Sequence, residues 1–314
     1  MNKRFNILQI VGLTLIIGLL PSCGGKPTNT NYDETAKLFA ADKSISPVID
    51  EAFYSFYNKT QRQLYPLYMS EQEAIDSLLD LKVYLVFTTR KLTANEENII
   101  TNKQHKARQQ PLAYDGMALI VNNENPDTVI TVDNFKKILS GEVCTWKEIY
   151  PESKLDTIRL VFDTPKSATV RYCTDSILNG NKISSAGNIR AVETTGEVIE
   201  YVERHKNAIG IVGSIWINDQ RDTTNVTFKR NVTVMAVGNT PVRAVKPYQY
   251  YIATAEYPFI RTLWAICTDP RGQGSPRRFY NYLINPGEEG QLVFWRAGLY
   301  PAWVEFLERK VVVD

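Results

Sequence analysis

The sequence predicts an α/β protein built from about two domains. Three observations support this prediction. The 314 residues suit about two domains of ordinary size, helical and strand signals alternate along the chain, and the composition, 44% hydrophobic and 22% charged, is that of a folded protein. No internal repeat or low-complexity block interrupts the alternation. We therefore expect two α/β units, each able to bury its own apolar core.

The N-terminus has the pattern of a secretion signal. Lys3 and Arg4 precede an apolar stretch over residues 7–20, which is too short for an ordinary membrane-spanning helix. The stretch ends in Leu20-Pro21-Ser22-Cys23, which resembles the lipobox of bacterial lipoproteins. This predicts a signal peptide over residues 1–22, lipid attachment at Cys23 and a polar, flexible tether over residues 23–32. The alternatives are an ordinary signal peptide with a Cys that becomes buried, or a true membrane span.

Helix and strand signals follow in order from residue 46. A helix is predicted over residues 46–58, with Ser46 as its N-cap and a proline in its first turn. A second helix is predicted over residues 70–81, where Ser70 and Glu73 can form a capping box. The compact apolar run of residues 83–87 predicts a buried strand. A second capping box, Thr93 with Glu96, then makes residues 88–92 a short loop from strand end to helix start.

The same alternation continues to the C-terminus. Further helices are predicted over residues 132–139 (capped by Thr131 and ended by Gly141), 170–178, 194–205, 274–283 and 288–297. Further strands are predicted over residues 113–121, 158–162, 208–212, 248–253 and 263–268.

Charge limits the partners of the mature chain. The sequence has 36 Lys and Arg against 34 Asp and Glu, and removal of residues 1–22 takes away two basic residues and no acid. The mature chain is then formally neutral, and no basic run of the kind that follows a nucleic-acid backbone occurs. Nucleic-acid binding is therefore not expected, and any anion site must come from a local arrangement of donors.

Cysteines and histidines give no signal for a metal site or a cofactor. Beyond Cys23, three Cys remain without CxxC spacing, so at most one disulfide can form. His105 and His205 lie far apart and belong to no HExxH or Cys/His cluster. We expect neither a metal nor a cofactor.

Three loops share one form, in which an extended segment ends, small hydroxyl residues follow and a helix begins. They are residues 42–47, Thr88-Thr89-Arg90 and Ser167-Ala168-Thr169. The free N–H groups and the positive dipole end of a helix N-terminus together favour an anion. Each loop taken singly is explained equally well as a helix cap, so the argument depends on all three.

Several stretches stand in an order and at spacings that carry a family resemblance. They are residues 88–96 (TTRKLTANE), 111–122 (PLAYDGMALIVN), 138–141 (ILSG) followed by 145–149 (TWKEI), 207–212 (NAIGIV), 289–291 (EGQ) and 297–301 (AGLYP). Together they resemble the PstS-like phosphate-binding family of type II periplasmic binding proteins. The match extends over nearly all of the mature chain.

The resemblance implies two α/β lobes joined by two crossover strands, with a ligand cleft between helix N-termini. The first crossover would lie near residues 113–115 and the return near residues 237–245. Lobe one would comprise residues 33–113 plus 240–314, and lobe two residues 114–239. Closure of such lobes around a ligand is a hinge motion that signals occupancy to a membrane permease.

The resemblance also implies which residues bind the ligand. They come from the three loops and are Ser44, Ile45, Thr89, Arg90, Asp163, Ser167, Ala168 and Thr169.

The third loop departs from the family pattern. Phosphate-binding members typically carry an Arg a few residues before a Ser-Gly-Thr triplet, whereas here Asp163 takes the Arg position and Ala168 the Gly position. A buried acid weakens the binding of a fully charged oxyanion. Arg90 and Arg171 are candidates for the missing guanidinium, the alternatives being a surface ion pair for Arg90 and a solvated side chain for Arg171.

Asp163 has two interpretations. A carboxylate in the cleft can accept the proton of monohydrogen phosphate, which selects against sulfate because sulfate has no proton to donate. Alternatively, Asp163 caps the turn before Pro165 or pairs with Lys166 at the surface.

The expected function is that of a lipid-anchored solute-binding protein that captures a small oxyanion, phosphate first, for an ABC-type importer. The expected partners are that oxyanion, an ABC permease in the inner membrane, and a lipid bilayer through Cys23, with the protein a monomer on the periplasmic side. The alternative is a scaffold or sensor lipoprotein of the same fold, whose cleft binds a different ligand or a membrane partner. Catalysis is not expected, because the sequence has no GxSxG motif and no motif-spaced partner for either His.

Overall fold

A computed structural model describes residues 36–185, 187–219 and 227–303. The predicted signal peptide over residues 1–22, the lipid-attachment residue Cys23 and the tether over residues 23–32 lie outside the described residues. Within these residues, no helix is long and apolar enough to cross a membrane.

Strands and helices alternate along the described chain. The strands are β1 (Leu38–Asp42), β2 (Tyr65–Met69), β3 (Leu85–Thr88), β4 (Arg108–Val121), β5 (Val129–Thr131), β6 (Arg159–Phe162), β7 (Ile189–Ala191), β8 (Ala208–Gly213), β9 (Thr233–Val234), β10 (Ala236–Gly238), β11 (Ile260–Cys267) and β12 (Tyr300–Pro301). The α-helices are α1 (Ser46–Thr60), α2 (Glu71–Leu79), α3 (Ala94–Asn102), α4 (Val132–Ser140), α5 (Ala168–Tyr172), α6 (Thr195–Arg204), α7 (Gln249–Ala253), α8 (Ser275–Ile284) and α9 (Gly290–Arg296).

The main sheet has the strand order β2, β1, β3, β11, β4, β8, β6, β7, while β9 and β12 also pair with β4. Strand β4 lies in the middle of this sheet and pairs with strands on both sides. Its N-terminal part pairs antiparallel with β11, with Ala113 opposite Leu263, and its C-terminal part pairs antiparallel with β8, with Met117 opposite Gly213. We call the β2, β1, β3 and β11 side the first half and the β8, β6 and β7 side the second half. The lobe boundaries proposed from the sequence stay a prediction.

Each half has its own apolar core. The first half packs Phe39, Phe56 and Phe87 around Phe279 of α8, with ring centroids 4.9–5.6 Å from that ring. The second half buries Trp146 together with many aliphatic side chains of β4, β6 and β8. Burial of this apolar surface is the main force that holds each half together.

The parallel strands of both halves point their carboxyl ends toward the same region. In the first half, β1 pairs in parallel with β2 and β3, and in the second half β6 pairs in parallel with β7 and β8. Open α/β sheets bind ligands outside the carboxyl ends of their strands. The loops that follow β1, β2, β6 and β7 are therefore the segments to examine for a site.

Most helix starts agree with the predicted caps. Both predicted capping boxes are present, at Ser70 with Glu73 and at Thr93 with Glu96. Thr131 and Thr194 accept the N–H of the third helical residue at the starts of α4 and α6, and Gly141 ends α4 with a positive φ of 80°. These caps were predictable because they depend on residues three positions apart.

One predicted helix cap is wrong, and one predicted helix differs in its start and its winding. Ser46 is the first residue of α1 and not its N-cap, because a 3₁₀ turn over Lys43–Ile45, capped by Asp42, precedes the helix. The predicted loop over residues 88–92 is confirmed, since β3 ends at Thr88 and α3 begins at Ala94 after its cap Thr93. The predicted helix over residues 170–178 begins at Ala168 and changes to π-helical winding over Cys173–Ile177.

The predicted strand over residues 248–253 is also wrong, because the segment forms helix α7. Its Tyr and Ile residues favour strands, but the neighbouring strand β4 already pairs with β11, β8, β9 and β12. The segment instead buries Ile252, and Gln249 donates a hydrogen bond to the carbonyl of Trp295. Tertiary context therefore decides the conformation of this segment.

Candidate ligand-binding cleft

A cavity of about 580 Å³ lies where the carboxyl ends of the two sets of parallel strands meet. Its walls come from residues at or after the ends of four strands, together with Trp216. They are Asp42, Lys43, Ser44 and Ser46 for β1, Tyr68, Ser70 and Glu73 for β2, residues 163–167 for β6, and residues 193–195 for β7. The starts of α1, α2, α5 and α6 all lie in these walls. A second cavity of about 590 Å³ lies on the outer surface between α1 and α9, away from the strand ends. We take the first cavity as the candidate site.

The loop after β1 places a buried carboxylate at the cavity. Asp42 is 2% exposed, and its Oδ1 accepts hydrogen bonds from the N–H and the hydroxyl of Ser44. Burial and the nearby charge of Glu71 raise the pKa of Asp42 to about 6, against the effect of the Ser44 hydrogen bonds and the Arg261 charge. Ile45, predicted as a ligand contact, is fully buried in the first-half core and does not line the cavity.

Thr89 does not line the cavity, and its donors are already used. The Thr89 N–H donates to Oε1 of Glu71 at 2.6 Å, and the Thr89 hydroxyl donates to the same oxygen at 2.8 Å. Glu71 is the first residue of α2 and is 3% exposed. An internal carboxylate thus occupies donors that the sequence assigned to the ligand.

An ion pair with Glu96, in the first turn of α3, holds the Arg90 side chain away from the cavity. Its Nη1 and Nη2 each donate to a different carboxylate oxygen of Glu96 at 2.8 Å, in a bidentate pair. Burial opposes ionisation of Glu96, but hydrogen bonds from Arg90 and Thr93 lower its pKa to about 2. Arg90 therefore has the ion-pair role that was the alternative to ligand binding.

Arg171 reaches from the second half to the first. It lies in α5, and its Nε donates to Oε2 of Glu71 at 2.5 Å, while its Nη2 donates to the hydroxyl of Thr89 at 2.8 Å. The Arg171 side chain is 26% exposed and that of Glu71 is 4% exposed. No local pattern in the sequence predicts this pairing, because an acid at a first helical position is ordinarily explained by the helix dipole.

The loop after β6 brings Asp163 and Ser167 to the cavity. Ser167 caps α5 by accepting the Val170 N–H at 3.2 Å. Thr169 donates weakly to Oδ2 of Asp163 at 3.4 Å, and both Ala168 and Thr169 are buried outside the cavity wall. Oδ1 of Asp163 is buried and has no hydrogen-bond partner among the described atoms. Burial raises the pKa of Asp163, despite hydrogen bonds from Ser167 and Thr169 and the Arg261 charge.

A buried ion pair supports the β1 loop from the interior. Arg261 of β11 contacts Oδ2 of Asp115 through Nε and Nη2 at 2.9 Å, and its Nη1 donates to the Ser44 hydroxyl at 2.9 Å. Oδ1 of Asp115 accepts the N–H and hydroxyl of Ser214. A Cβ on Gly213 would lie 2.5 Å from the Arg261 guanidinium, so this approach needs glycine. Sequence reasoning missed this network, because its members lie in separate strands and share no local motif.

The residues that line the cavity include more acids than the family resemblance implies. Buried Asp42 and Asp163 face it without an ion pair in the described part of the chain, and the exposed Glu73 and Glu193 also line it. The basic residues in its walls are Lys43 and Lys166. Over residues 36–185, 187–219 and 227–303, no group of three or more His, Cys, Asp and Glu side chains is arranged to hold a metal ion. The arrangement favours a ligand that donates hydrogen bonds to carboxylates and accepts them from hydroxyl and N–H groups.

Comparison with known proteins gives one family. Residues 26–286 match the family model described as a PBP superfamily domain. The chain is 23% identical over 250 residues to the phosphate-binding protein PstS of Borreliella burgdorferi. This alignment covers 77% of this chain and 82% of that protein. It is 26% identical over 141 residues to the PstS of Staphylococcus haemolyticus, over 43% of this chain and 42% of that protein.

Solved structures share the fold. A substrate-binding protein assigned to phosphate ABC transport in Clostridium perfringens, determined with bound phosphate, has a TM-score of 0.69 at 18% identity, covering 84% of this chain and 99% of that one. An ABC-type phosphate transport receptor of Vibrio cholerae has a TM-score of 0.63 at 18% identity, covering 83% and 99%.

Proposed function

The chain belongs to the PBP superfamily as a PstS-like member with the type II periplasmic binding protein fold, and from this premise we propose that it is a solute-binding protein that captures phosphate. The relatives named above are phosphate-binding proteins or parts of phosphate transport systems. The predicted family and fold class are thereby confirmed. Phosphate capture by this chain is the proposal, and it includes no catalytic step.

The observation that supports the proposal most is the convergence of four helix starts on one cavity. Ser44, Ser70, Ser167 and Thr194 line the cavity, and all four residues are at or next to a helix start. Hydroxyls donate and accept hydrogen bonds, and helix N-termini favour negative charge. A small oxyanion is the ligand class for which such a wall is suited.

The two buried carboxylates restrict which oxyanion fits. The Oδ1 atom of Asp163 has no hydrogen-bond partner among the described atoms, and the carboxylate of Asp42 also lines the cavity. Phosphate near neutral pH carries one or two protons that it can donate to such carboxylates. Sulfate carries none, so it would leave the carboxylates facing a like charge. We therefore propose a protonated phosphate as the ligand, with Asp42 and Asp163 as its proton acceptors.

The proposed contacts differ from the sequence-based set. Ser44, Asp163 and Ser167 remain, and Ser70, Thr194 and Thr195 are added. Ile45, Ala168 and Thr169 support the loops from the interior, while Thr89 and Arg90 are paired with Glu71 and Glu96.

The cellular setting belongs to the same proposal. The lipobox-like sequence before Cys23 supports a lipid anchor, and the family supports a site on the periplasmic side with an ABC permease as partner. Labelled fatty acid should be incorporated into the wild-type protein and not into the Cys23→Ser variant. Equal labelling of the two proteins would contradict the anchor.

Isothermal titration of the full-length protein in detergent against phosphate, sulfate and molybdate tests the ligand. We expect saturable heat with phosphate at one site per chain, and weaker binding by the Ser167→Ala variant. Thr101→Ala removes a comparable hydroxyl on α3 that donates to the Glu97 carbonyl, and it serves as the control. Absence of heat with all three anions would contradict the proposal.

A second candidate function rests on Glu71 and the acidic wall. Because Glu71 already fills the Thr89 and Arg171 donors, the cleft suits a less negatively charged ligand, as expected of a sensor or scaffold lipoprotein. A thermal-shift screen with neutral and cationic small molecules separates the two functions. Stabilisation by such a compound and none by phosphate would favour the second.

A further inference from the structure

The Glu71 carboxylate lies among several groups that donate hydrogen bonds to it. Its two carboxylate oxygens accept four hydrogen bonds at 2.5–3.5 Å, from the Thr89 N–H, the Thr89 hydroxyl, and Nε and Nη2 of Arg171. A backbone N–H, a hydroxyl and a guanidinium fork are the groups that proteins use to bind phosphate and sulfate. The two carboxylate oxygens of Glu71 accept these hydrogen bonds in the way that two oxygens of a tetrahedral anion would.

The position of Glu71 puts this internal anion beside the candidate cavity. Ser70 before it and Glu73 after it line the cavity, and its charge is close enough to raise the pKa of Asp42. The guanidinium of Arg171 is thereby directed to Glu71, and Arg171 does not line the cavity. The wall itself contains the carboxylates of Asp42, Asp163, Glu73 and Glu193, the ammonium groups of Lys43 and Lys166, and several Ser and Thr residues.

We propose that Glu71 is the residue that sets the anion specificity of the cleft. Its carboxylate competes with the ligand, because it already accepts the hydrogen bonds that Thr89 and Arg171 could donate to an anion. A doubly charged, unprotonated oxyanion then finds no guanidinium among the described residues of the cavity wall and is excluded, while a ligand that brings its own protons still binds. This inference rests on the proposed function in placing the ligand in the cleft, and it adds the residue that decides which oxyanion is accepted.

The test compares sulfate and phosphate titrations of the full-length wild-type protein with those of three variants. Glu71→Ala removes the internal anion and frees the donors, and Glu71→Gln removes its charge with little change in volume. Asp76→Asn is the matched control, because it removes one negative charge from an exposed position on the same helix.

We expect Glu71→Ala to gain at least tenfold in sulfate affinity, with a smaller gain for Glu71→Gln and no change for Asp76→Asn. Sulfate should also protect Glu71→Ala, and not the wild type, against thermal unfolding, which shows that the variant is folded. Glu71→Gln provides the same comparison if Glu71→Ala is unstable. Sulfate affinities of both Glu71 variants within twofold of the wild type would overturn the inference.

The phosphate data separate this inference from the proposed function. If the wild type binds phosphate and the Glu71 variants do not gain sulfate binding, the function stands and the inference fails. If the wild type binds no phosphate and Glu71→Ala binds sulfate, the inference stands and phosphate capture by the wild type fails. If no variant binds either anion, both fail.

Discussion

The unpartnered oxygen of Asp163 makes a direct prediction about selectivity. Replacement of Asp163 by Asn removes a negative charge from the cavity wall and supplies an amide donor in its place. The ratio of phosphate to sulfate affinity should then fall about tenfold or more, since hydrogen bonds to charged groups contribute roughly 1.5–3 kcal/mol. Titration of both anions measures the ratio. Asp156→Asn, at an exposed position of the second half, is the control, and an unchanged ratio in Asp163→Asn would return Asp163 to a turn role.

The raised pKa of Asp42 predicts that the stability of the protein depends on pH. Its pKa is raised from 3.8 to about 6, so the native state binds more protons than the unfolded state between these values. The free energy of unfolding should therefore fall as the pH rises from about 4 to about 6. Asp42→Asn keeps an oxygen for the Ser44 N–H and removes the charge. At pH 7 we expect the variant to be more stable than the wild type by about 2 kcal/mol.

Urea unfolding at a series of pH values checks this prediction through the difference between the two proteins. That difference should be small near pH 4, grow up to about pH 6, and then stay constant. The difference removes the contributions of other titrating groups, among them Asp163. A difference that is the same at every pH would show that Asp42 titrates normally in the folded protein.

At the scale of elements, α2 and α3 form a matched pair. Both begin with a capping box, but Ser70 of α2 lines the cavity and Thr93 of α3 does not. Ser70→Ala and Thr93→Ala should each cost about 1 kcal/mol of stability, which chemical denaturation measures. Ser70→Ala should in addition weaken phosphate binding, because Ser70 lines the cavity. Equal affinities for the two variants would remove Ser70 from the site.

The same two helices show how far a sequence predicts structure. Their capping boxes depend on side chains and N–H groups within one turn, so the residue pattern alone places both helix starts. The pairing of Glu71 with Arg171 joins residues of two different halves, and no local pattern contains it. Likewise, Tyr248 to Ala253 has strand-forming residues, but the pairing of β4 with four other strands decides that the segment is helical. Local chemistry was predictable, while the partners brought by tertiary contact were not.

At the scale of the whole molecule, Arg261 connects elements of both halves. It binds Asp115 of β4 and Ser44 after β1, and Asp115 in turn holds Ser214 after β8. Arg261→Met would leave the carboxylate of Asp115, which is fully buried, without its cation. We expect a loss of about 3–5 kcal/mol in the free energy of unfolding.

A double-variant cycle separates the charge from the packing in this prediction. The variant with both Arg261→Met and Asp115→Asn should lose less stability than the sum of the two single variants, because no uncompensated charge remains. Urea unfolding of the four proteins gives the coupling energy. Strict additivity would show that the two side chains do not depend on each other.

The central position of β4 also bears on how the chain is made. Ala113 pairs with Leu263, so the first half lacks a strand of its sheet until the ribosome has released a segment close to the C-terminus. The second half has its β4 partner sooner, because β8 ends at Gly213. Contacts between distant residues form slowly, since the intervening chain must first be closed into a loop. Synthesis thus leaves the first half without its complete core for most of the time that the polypeptide is growing, and the apolar surface of that half stays exposed until β11 has been made.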